Sequence, residues 1–349
     1  MRTGRLVVAV ALCAVVAACS SGGGEKEKAV AYPRDARLRL NQVQVLASHN
    51  SYHIEPDFVL SDPDAEYSHA PLREQLEREG IRGFELDVLN GPNDGEFQVA
   101  HTPQIDANSN CTPLTVCLDA VKKWSDANPG HVPIFILVEP KVGSIDRVLD
   151  PRLGDWDADG IERLDQQVRA SLGTKLLTPD DVRGKSVTLR EAVVNRGWPS
   201  LAKTRGKVIA ILNSEGDRRA DLLRGHKSLE GRAMFVTADP DAPSAAFIKM
   251  DDPQPKKIRE LVEQGFIVRT RSDADLREGR ERDTRRREQA LSSGAQIVTT
   301  DFAVPIPHIG GNYVVRIPGG TPARCNPLVA PRRCKPGDVE NPRYLAARR

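Results

Sequence analysis

Short apolar runs recur along this chain, separated by segments of helical pattern, and that alternation restricts the architectures open to it. Eight runs rich in apolar and β-branched residues stand out: Val43–Ser48, Gly83–Leu89, Phe97–His101, Pro133–Val138, Lys207–Leu212, Ala233–Thr237, Phe266–Thr270 and Gln296–Thr300. Some lack a polar face altogether, as in Ile134-Phe135-Ile136-Leu137-Val138. Strands buried on both faces belong to parallel sheets. Helical segments are expected between most of them: Pro71–Glu79, with proline at its start and Gly80 at its stop, Leu114–Asn128, Gly160–Leu172, Leu189–Asn195, Pro255–Gln264 and Arg280–Ser293. The pattern predicts an α/β fold. The eight repeats occupy residues 41–302, close to the ~250 residues of a (β/α)8 barrel. The expectation is a distorted (β/α)8 TIM barrel in a single domain, with an open doubly wound sheet as the alternative. One irregularity is visible. The second and third runs are joined by Asn90-Gly91-Pro92-Asn93-Asp94-Gly95, a turn with no room for a helix.

The two ends read differently. Arg2 and Arg5 precede an uncharged apolar run, Leu6–Ala18, followed by Cys19 and Ser20-Ser21-Gly22-Gly23-Gly24. This is the layout of a signal peptide, and it is too short for the ~20 residues of a spanning helix. Cysteine at the cleavage point resembles the lipobox of bacterial lipoproteins, which implies lipidation of Cys19. The expected organisation is a signal peptide over 1–18, a flexible tether over 19–37, a barrel over 38–302 and a proline-rich tail over 303–349 that wraps the barrel. The protein is then exported and anchored to the outer face of its own cell membrane, with release to the medium as a further outcome. Beyond Cys13 and Cys19, Cys111, Cys117, Cys325 and Cys334 remain. An even count in an exported chain suggests disulfides. Of three possible pairings, Cys111–Cys117 with Cys325–Cys334 is the simplest and would staple the tail.

A formal charge of +2 gives no reason to expect a nucleic-acid partner, and a monomer is expected. The run Arg277–Arg287 is interrupted by Glu278, Glu281 and Asp283 and reads as a solvated helix face.

Active residues of such barrels sit at the C-terminal ends of the strands, and the polar residues here fit that rule. His49-Asn50 follows the first run. Glu85 and Asp87 alternate with Leu86 inside the second, so both carboxylates point to one side. His101 closes the third run and Glu139 the fourth. Two carboxylates on one face of a buried strand repel unless a cation neutralises them. Glu139 adds a third, and Asn50 a neutral oxygen. An all-oxygen set suits Ca2+ or Mg2+ rather than zinc, and Ca2+ best accepts a dispersed set. Two histidines beside the metal suit acid–base chemistry at phosphorus. Lys141 could add a phosphate contact.

At these residues the sequence resembles calcium-dependent phosphoinositide-specific phospholipase C, in its bacterial secreted branch. The motifs are Ala47-Ser48-His49-Asn50-Ser51-Tyr52, Gly83-Phe84-Glu85-Leu86-Asp87, Ala100-His101 and Val138-Glu139, with Gly197-Trp198-Pro199, Val268-Arg269-Thr270-Arg271-Ser272-Asp273 and Thr300-Asp301-Phe302 further on. The resemblance implies one Ca2+ held by Asn50, Glu85, Asp87 and Glu139, with His49 and His101 as acid–base groups. It implies attack by the inositol 2-hydroxyl on a phosphatidylinositol-type phospholipid at a membrane surface, giving diacylglycerol and an inositol phosphate. Lys141, Arg269 and Arg271 are candidates for the head group. The competing readings are another phosphodiesterase on the same scaffold, for glycerophosphodiesters or sphingolipids, and a non-catalytic lipid-binding lipoprotein.

Weaker signals have plainer readings. Asp155-Trp156-Asp157-Ala158-Asp159-Gly160 opens like a calcium loop, but Gln166 stands where a bidentate glutamate is needed. A helix cap is the better reading. Trp156 and Trp198 are expected in the core. Asp301 ends the last run and could orient a histidine. His69 and His131 have no partner visible in sequence.

Overall fold

The computed structural model describes residues 32–57, 63–91, 95–103, 105–141 and 153–341. The expected signal peptide over 1–18 and Cys19 lie outside the described residues. No helix among the described residues is long and apolar enough to cross a membrane.

The core is a parallel barrel. In chain order the strands are β1 (Val43–Ser48), β2 (Gly83–Leu89), β3 (Gln98–Val99), β4 (Ile134–Lys141), β5 (Val208–Leu212), β6 (Phe235–Val236), β7 (Phe247–Lys249), β8 (Ile267–Arg271), β9 (Ile297–Thr300) and β10 (Ala323–Cys325). Around the barrel the order is β6-β5-β4-β2-β1-β9-β8-β7. A single parallel bridge, Thr237 to Phe247, spans the remaining gap between β6 and β7. The open doubly wound sheet is thereby excluded, and the distortion sits at that thin seam.

Two corrections to the expected strands follow. The run Phe97–His101 is not a barrel strand. Its ordered part, β3, pairs antiparallel with β2, Val88 opposite Val99 and Leu89 opposite Gln98. The shortness of the connection before it decides this, because parallel neighbours need a long crossover and antiparallel ones only a hairpin. The missing barrel strand is β7, three residues between Asp- and Pro-rich turns, too short to register as a run. The two errors offset one another in the count of eight.

Strand chemistry follows burial. Every residue of β1, β2 and β5 is buried, as both-sided cover in a parallel sheet requires. β1 and β2 meet through the pair Ala47–Gly83. A Cβ on Gly83 would lie 2.7 Å from the Ala47 Cβ, so only glycine permits that approach.

The helices Leu114–Ala127, Ala158–Leu172 and Pro255–Glu263 take nearly the expected positions. Asp157 caps the second by accepting the Gly160 amide at 2.8 Å, in line with the cap reading of that acidic loop. The Arg-rich run departs from expectation: it forms two short helices, Arg277–Glu281 and Arg285–Ser292, broken at Arg282 in a left-handed conformation. Trp156 and Trp198 are buried.

Both ends of the described residues pack onto the barrel. Tyr32 is buried and Asp35 forms an ion pair with Arg205 at 2.6 Å, so residues 32–37, placed in the tether by sequence, lie against the fold. In the tail, β10 pairs antiparallel with β1. Arg82 and Glu340, both wholly buried, form an ion pair there, and Glu340 also accepts the Val132 amide at 2.7 Å. The disulfides are Cys111–Cys117 and Cys325–Cys334.

Candidate active site at the C-terminal rim

The first motif is a clamped turn. The His49 amide donates to the Thr300 carbonyl at 3.0 Å, and the Ser51 amide to the Glu85 carbonyl at 3.0 Å. The Ser51 hydroxyl accepts the Glu85 amide at 2.9 Å. Asn50 between them has a φ of 42°, which asparagine tolerates better than most residues. This holds His49 and Asn50 over the strand ends, with β9 on one side and β2 on the other.

Each histidine has its own carboxylate. His49 Nδ1 lies 2.8 Å from Asp301 Oδ1, the orienting role considered for Asp301. His101 Nδ1 lies 2.9 Å from Asp106 Oδ2. Asp106 also binds His53 Nε2, at 2.9 Å. With Nδ1 engaged, Nε2 is the nitrogen left for chemistry on both rings. The bond to Asp106 chiefly raises the His101 pKa, against burial, with the Asp87 charge assisting. Asp106 itself is pushed up by burial but brought down to about 2 by its bonds to His101 and His53. Sequence reasoning missed Asp106, which lies in a loop with no recognisable pattern. His101 rides on the β2–β3 hairpin rather than at the end of a barrel strand. The Ala100 amide bonds to the Asp87 carbonyl at 3.2 Å, which brings His101 next to the acidic strand.

The carboxylates converge as the strand alternation predicts. Asp87 on β2 is directly opposite Glu139 on β4. Lys141 Nζ lies 2.8 Å from Glu139 Oε1 and 3.4 Å from Asp87 Oδ2. Asn213, just beyond β5, donates through Nδ2 to Glu85 Oε1 at 2.9 Å and to Glu139 Oε2 at 2.6 Å. Asn213 was also missed, since a single asparagine after an apolar run carries no signal. Arg269 Nη2 binds Glu85 Oε2 at 2.7 Å. Burial pushes the Glu85 carboxyl up, and Arg269 and then His49 more than offset it. Arg269 spends its other donors on Thr299, at 2.9 Å, and on Asp251. Arg271 Nη2 reaches Asp301 Oδ2 at 3.2 Å, beside His49.

Asp87 differs from the rest. It is 1% exposed, and neither carboxylate oxygen has a hydrogen-bond partner. Burial, reinforced by Glu139 and Glu85 and opposed by Lys141, lifts its pKa to about 6. A buried carboxylate with no hydrogen bond, met by the Lys141 ammonium at 3.4 Å, still carries a desolvation cost that a closer divalent cation would relieve. Among the described residues no three acidic or histidine side chains form a ready-made metal cage; Lys141, Arg269 and Asn213 act as counterparts to the carboxylates instead. The donor chemistry of Asp87, Glu85, Glu139 and the Asn50 amide nonetheless fits a hard divalent cation, and the orphaned Asp87 oxygens are the observation that supports the fit.

Two further histidines have structural contacts. His69 Nε2 bonds the His49 carbonyl at 2.9 Å, and burial lowers its pKa to about 4. His131 lies 2.7 Å from the Ser125 hydroxyl.

The family described as phosphoinositide phospholipase C, Ca2+-dependent, matches residues 38–100 and 95–327. A solved calcium-dependent phosphoinositol-specific phospholipase C from a Gram-negative Pseudomonas species superposes with a TM-score of 0.58 at 19% identity, covering 85% of this chain and 98% of that one. A Ca2+-dependent phosphatidylinositol-specific phospholipase C from Streptomyces antibioticus gives 0.55 at 20% identity, covering 80% and 99%. At these identities the likeness shows the fold. No curated protein matches the chain.

Proposed function

The chain belongs to the calcium-dependent phosphoinositide phospholipase C family and is a phosphodiesterase, and we propose that it cleaves phosphatidylinositol-type lipids into diacylglycerol and an inositol phosphate. The observation that carries this reading is the rim itself: two histidines, each oriented by its own carboxylate, beside a buried Asp87 with no hydrogen-bond partner.

In this proposal Asn50, Glu85, Asp87 and Glu139 hold one Ca2+, with Mg2+ the poorer fit. The bound ion supplies electrostatic stabilisation of the charge that develops on the phosphoryl oxygens. The chain's own residues move the protons. His49, held by Asp301, takes the proton of the inositol 2-hydroxyl as its oxygen attacks phosphorus. His101 keeps its proton more readily because of Asp106, so it donates to the departing diacylglycerol oxygen as the P–O bond breaks. The first product is a cyclic inositol phosphate. Lys141, one-third exposed beside Asp87 and Glu139, and Arg271, beside His49, are placed to contact the head-group phosphate. Arg269, also expected there, acts through Glu85, since its donors are already engaged.

We also propose that the protein is exported and held at the outer face of its membrane through lipidated Cys19, acting as a monomer on phospholipid surfaces.

The substrate class is tested by product analysis on three substrates in parallel: phosphatidylinositol vesicles, sphingomyelin vesicles and glycerophosphoinositol. Diacylglycerol from the first alone supports the proposal. Turnover of either of the others with phosphatidylinositol left intact would move the function to another phosphodiester on the same scaffold.

A further inference from the structure

At the end of the barrel opposite the rim, a cavity of about 640 Å³ opens among residues that precede the strands. Arg39 lies ahead of β1 and Lys207 ahead of β5, while Arg37, Arg196 and Lys203 complete the basic lining. The acidic member is Asp181, whose carboxylate is engaged by the Thr178 amide and hydroxyl, both at 2.8 Å.

None of the five cations is neutralised, and three of them are held by neutral oxygens. Arg39 donates to the Trp198 carbonyl at 2.6 Å. Arg196 donates to the carbonyls of Val182 and Arg183. Lys207 donates to the Thr174 carbonyl at 2.7 Å. These contacts fix three of the side chains through neutral oxygens, and the described residues supply none of the five with a carboxylate ion pair, although most of the described arginines have one. Five like charges in one concavity repel, and such a concavity focuses anions. Its volume is that of a small-molecule site. Three arginines present planar forks that match phosphate oxygens, with two lysines as point charges.

We infer that this cavity is a second, non-catalytic binding site for a phosphate-bearing anion with two or more negative charges. The phosphate can arrive on a soluble ligand or on the head group of an anionic lipid; the recognition chemistry is the same. The site lies at the opposite end of the barrel from His49 and Asp87, so it acts independently of the reaction.

The test uses the full chain made as Cys19→Ser, so that no acyl group contributes, with chelator present and no Ca2+. Sodium tripolyphosphate is titrated calorimetrically into this protein, into an Arg37→Glu/Lys203→Glu variant and into an Arg271→Ala variant. Arg37 and Lys203 are exposed, so the double change spares the core, and thermal unfolding verifies that. The expected result is one-to-one binding that weakens at least tenfold in the double variant and is unchanged by Arg271→Ala. In a second arm, flotation with phosphatidylglycerol vesicles identifies the source. Vesicle binding that the double variant loses and tripolyphosphate competes assigns the lipid; tripolyphosphate binding without it assigns a soluble ligand. Absent binding, equal binding by the double variant, or loss through Arg271→Ala would overturn the inference.

Discussion

Replacing Asp87 by asparagine should make the metal-free protein more stable and the calcium-loaded protein less so. Asp87 is buried with neither oxygen hydrogen-bonded, and although Lys141 lies 3.4 Å away, burial lifts its pKa in the fold to about 6. In the unfolded chain an aspartate titrates near ~3.9. A carboxyl whose pKa rises on folding carries no penalty when protonated in both states. Stability is lost as pH rises from the unfolded value to the folded one, and the loss is then constant. A rise of about two units corresponds to roughly 3 kcal/mol at pH 8, about half of that at pH 5 and a small remainder at pH 4. Asparagine is neutral throughout, so in chelator the variant should gain up to ~3 kcal/mol on wild type at pH 8, with the gap closing toward pH 4. Adding Ca2+ reverses the order, because only wild type keeps the full set of acidic ligands. At 1,000 times its Kd the ion stabilises wild type by ~4.1 kcal/mol, which exceeds the gap at pH 8. Urea unfolding at the three pH values, with chelator and with calcium, measures all of this. Equal stabilities in chelator at pH 8, or a calcium response retained by the variant, would refute the reasoning.

Three further outcomes are expected. His101→Ala should lower turnover of phosphatidylinositol by ~10²-fold or more while leaving calcium-induced stabilisation intact; near-normal turnover would remove His101 from the mechanism. Asp106→Asn should lower the His101 pKa, since that hydrogen bond is the leading cause of its elevation, and a proton NMR titration that finds the same midpoint would contradict the dyad. Cys19→Ser should move the protein out of the membrane fraction of the producing cell, and continued retention would rule out the lipid anchor.

The sequence disclosed the barrel through its longest strands and failed at its shortest. Ile134–Val138 could be read because a both-sided apolar run has few alternatives, whereas Phe247–Lys249 is held in the barrel by its neighbours rather than by its own pattern. His101 was picked out for a rim position that it reaches by another route, on a hairpin. Glu85 and Asp87 were legible because strand alternation fixes which way both point. Asp106 and Asn213 were not, because their significance lies in what they touch: two histidines in one case, two carboxylates in the other. Local periodicity carries no record of such long-range contacts.

The most direct test is release of inositol phosphate from radiolabelled phosphatidylinositol by the purified protein, assayed with Ca2+ and with excess chelator. The account predicts product with Ca2+, none with chelator, and recovery when calcium is restored. Undiminished release in chelator, or none in either condition from a folded protein that binds Ca2+, would contradict it.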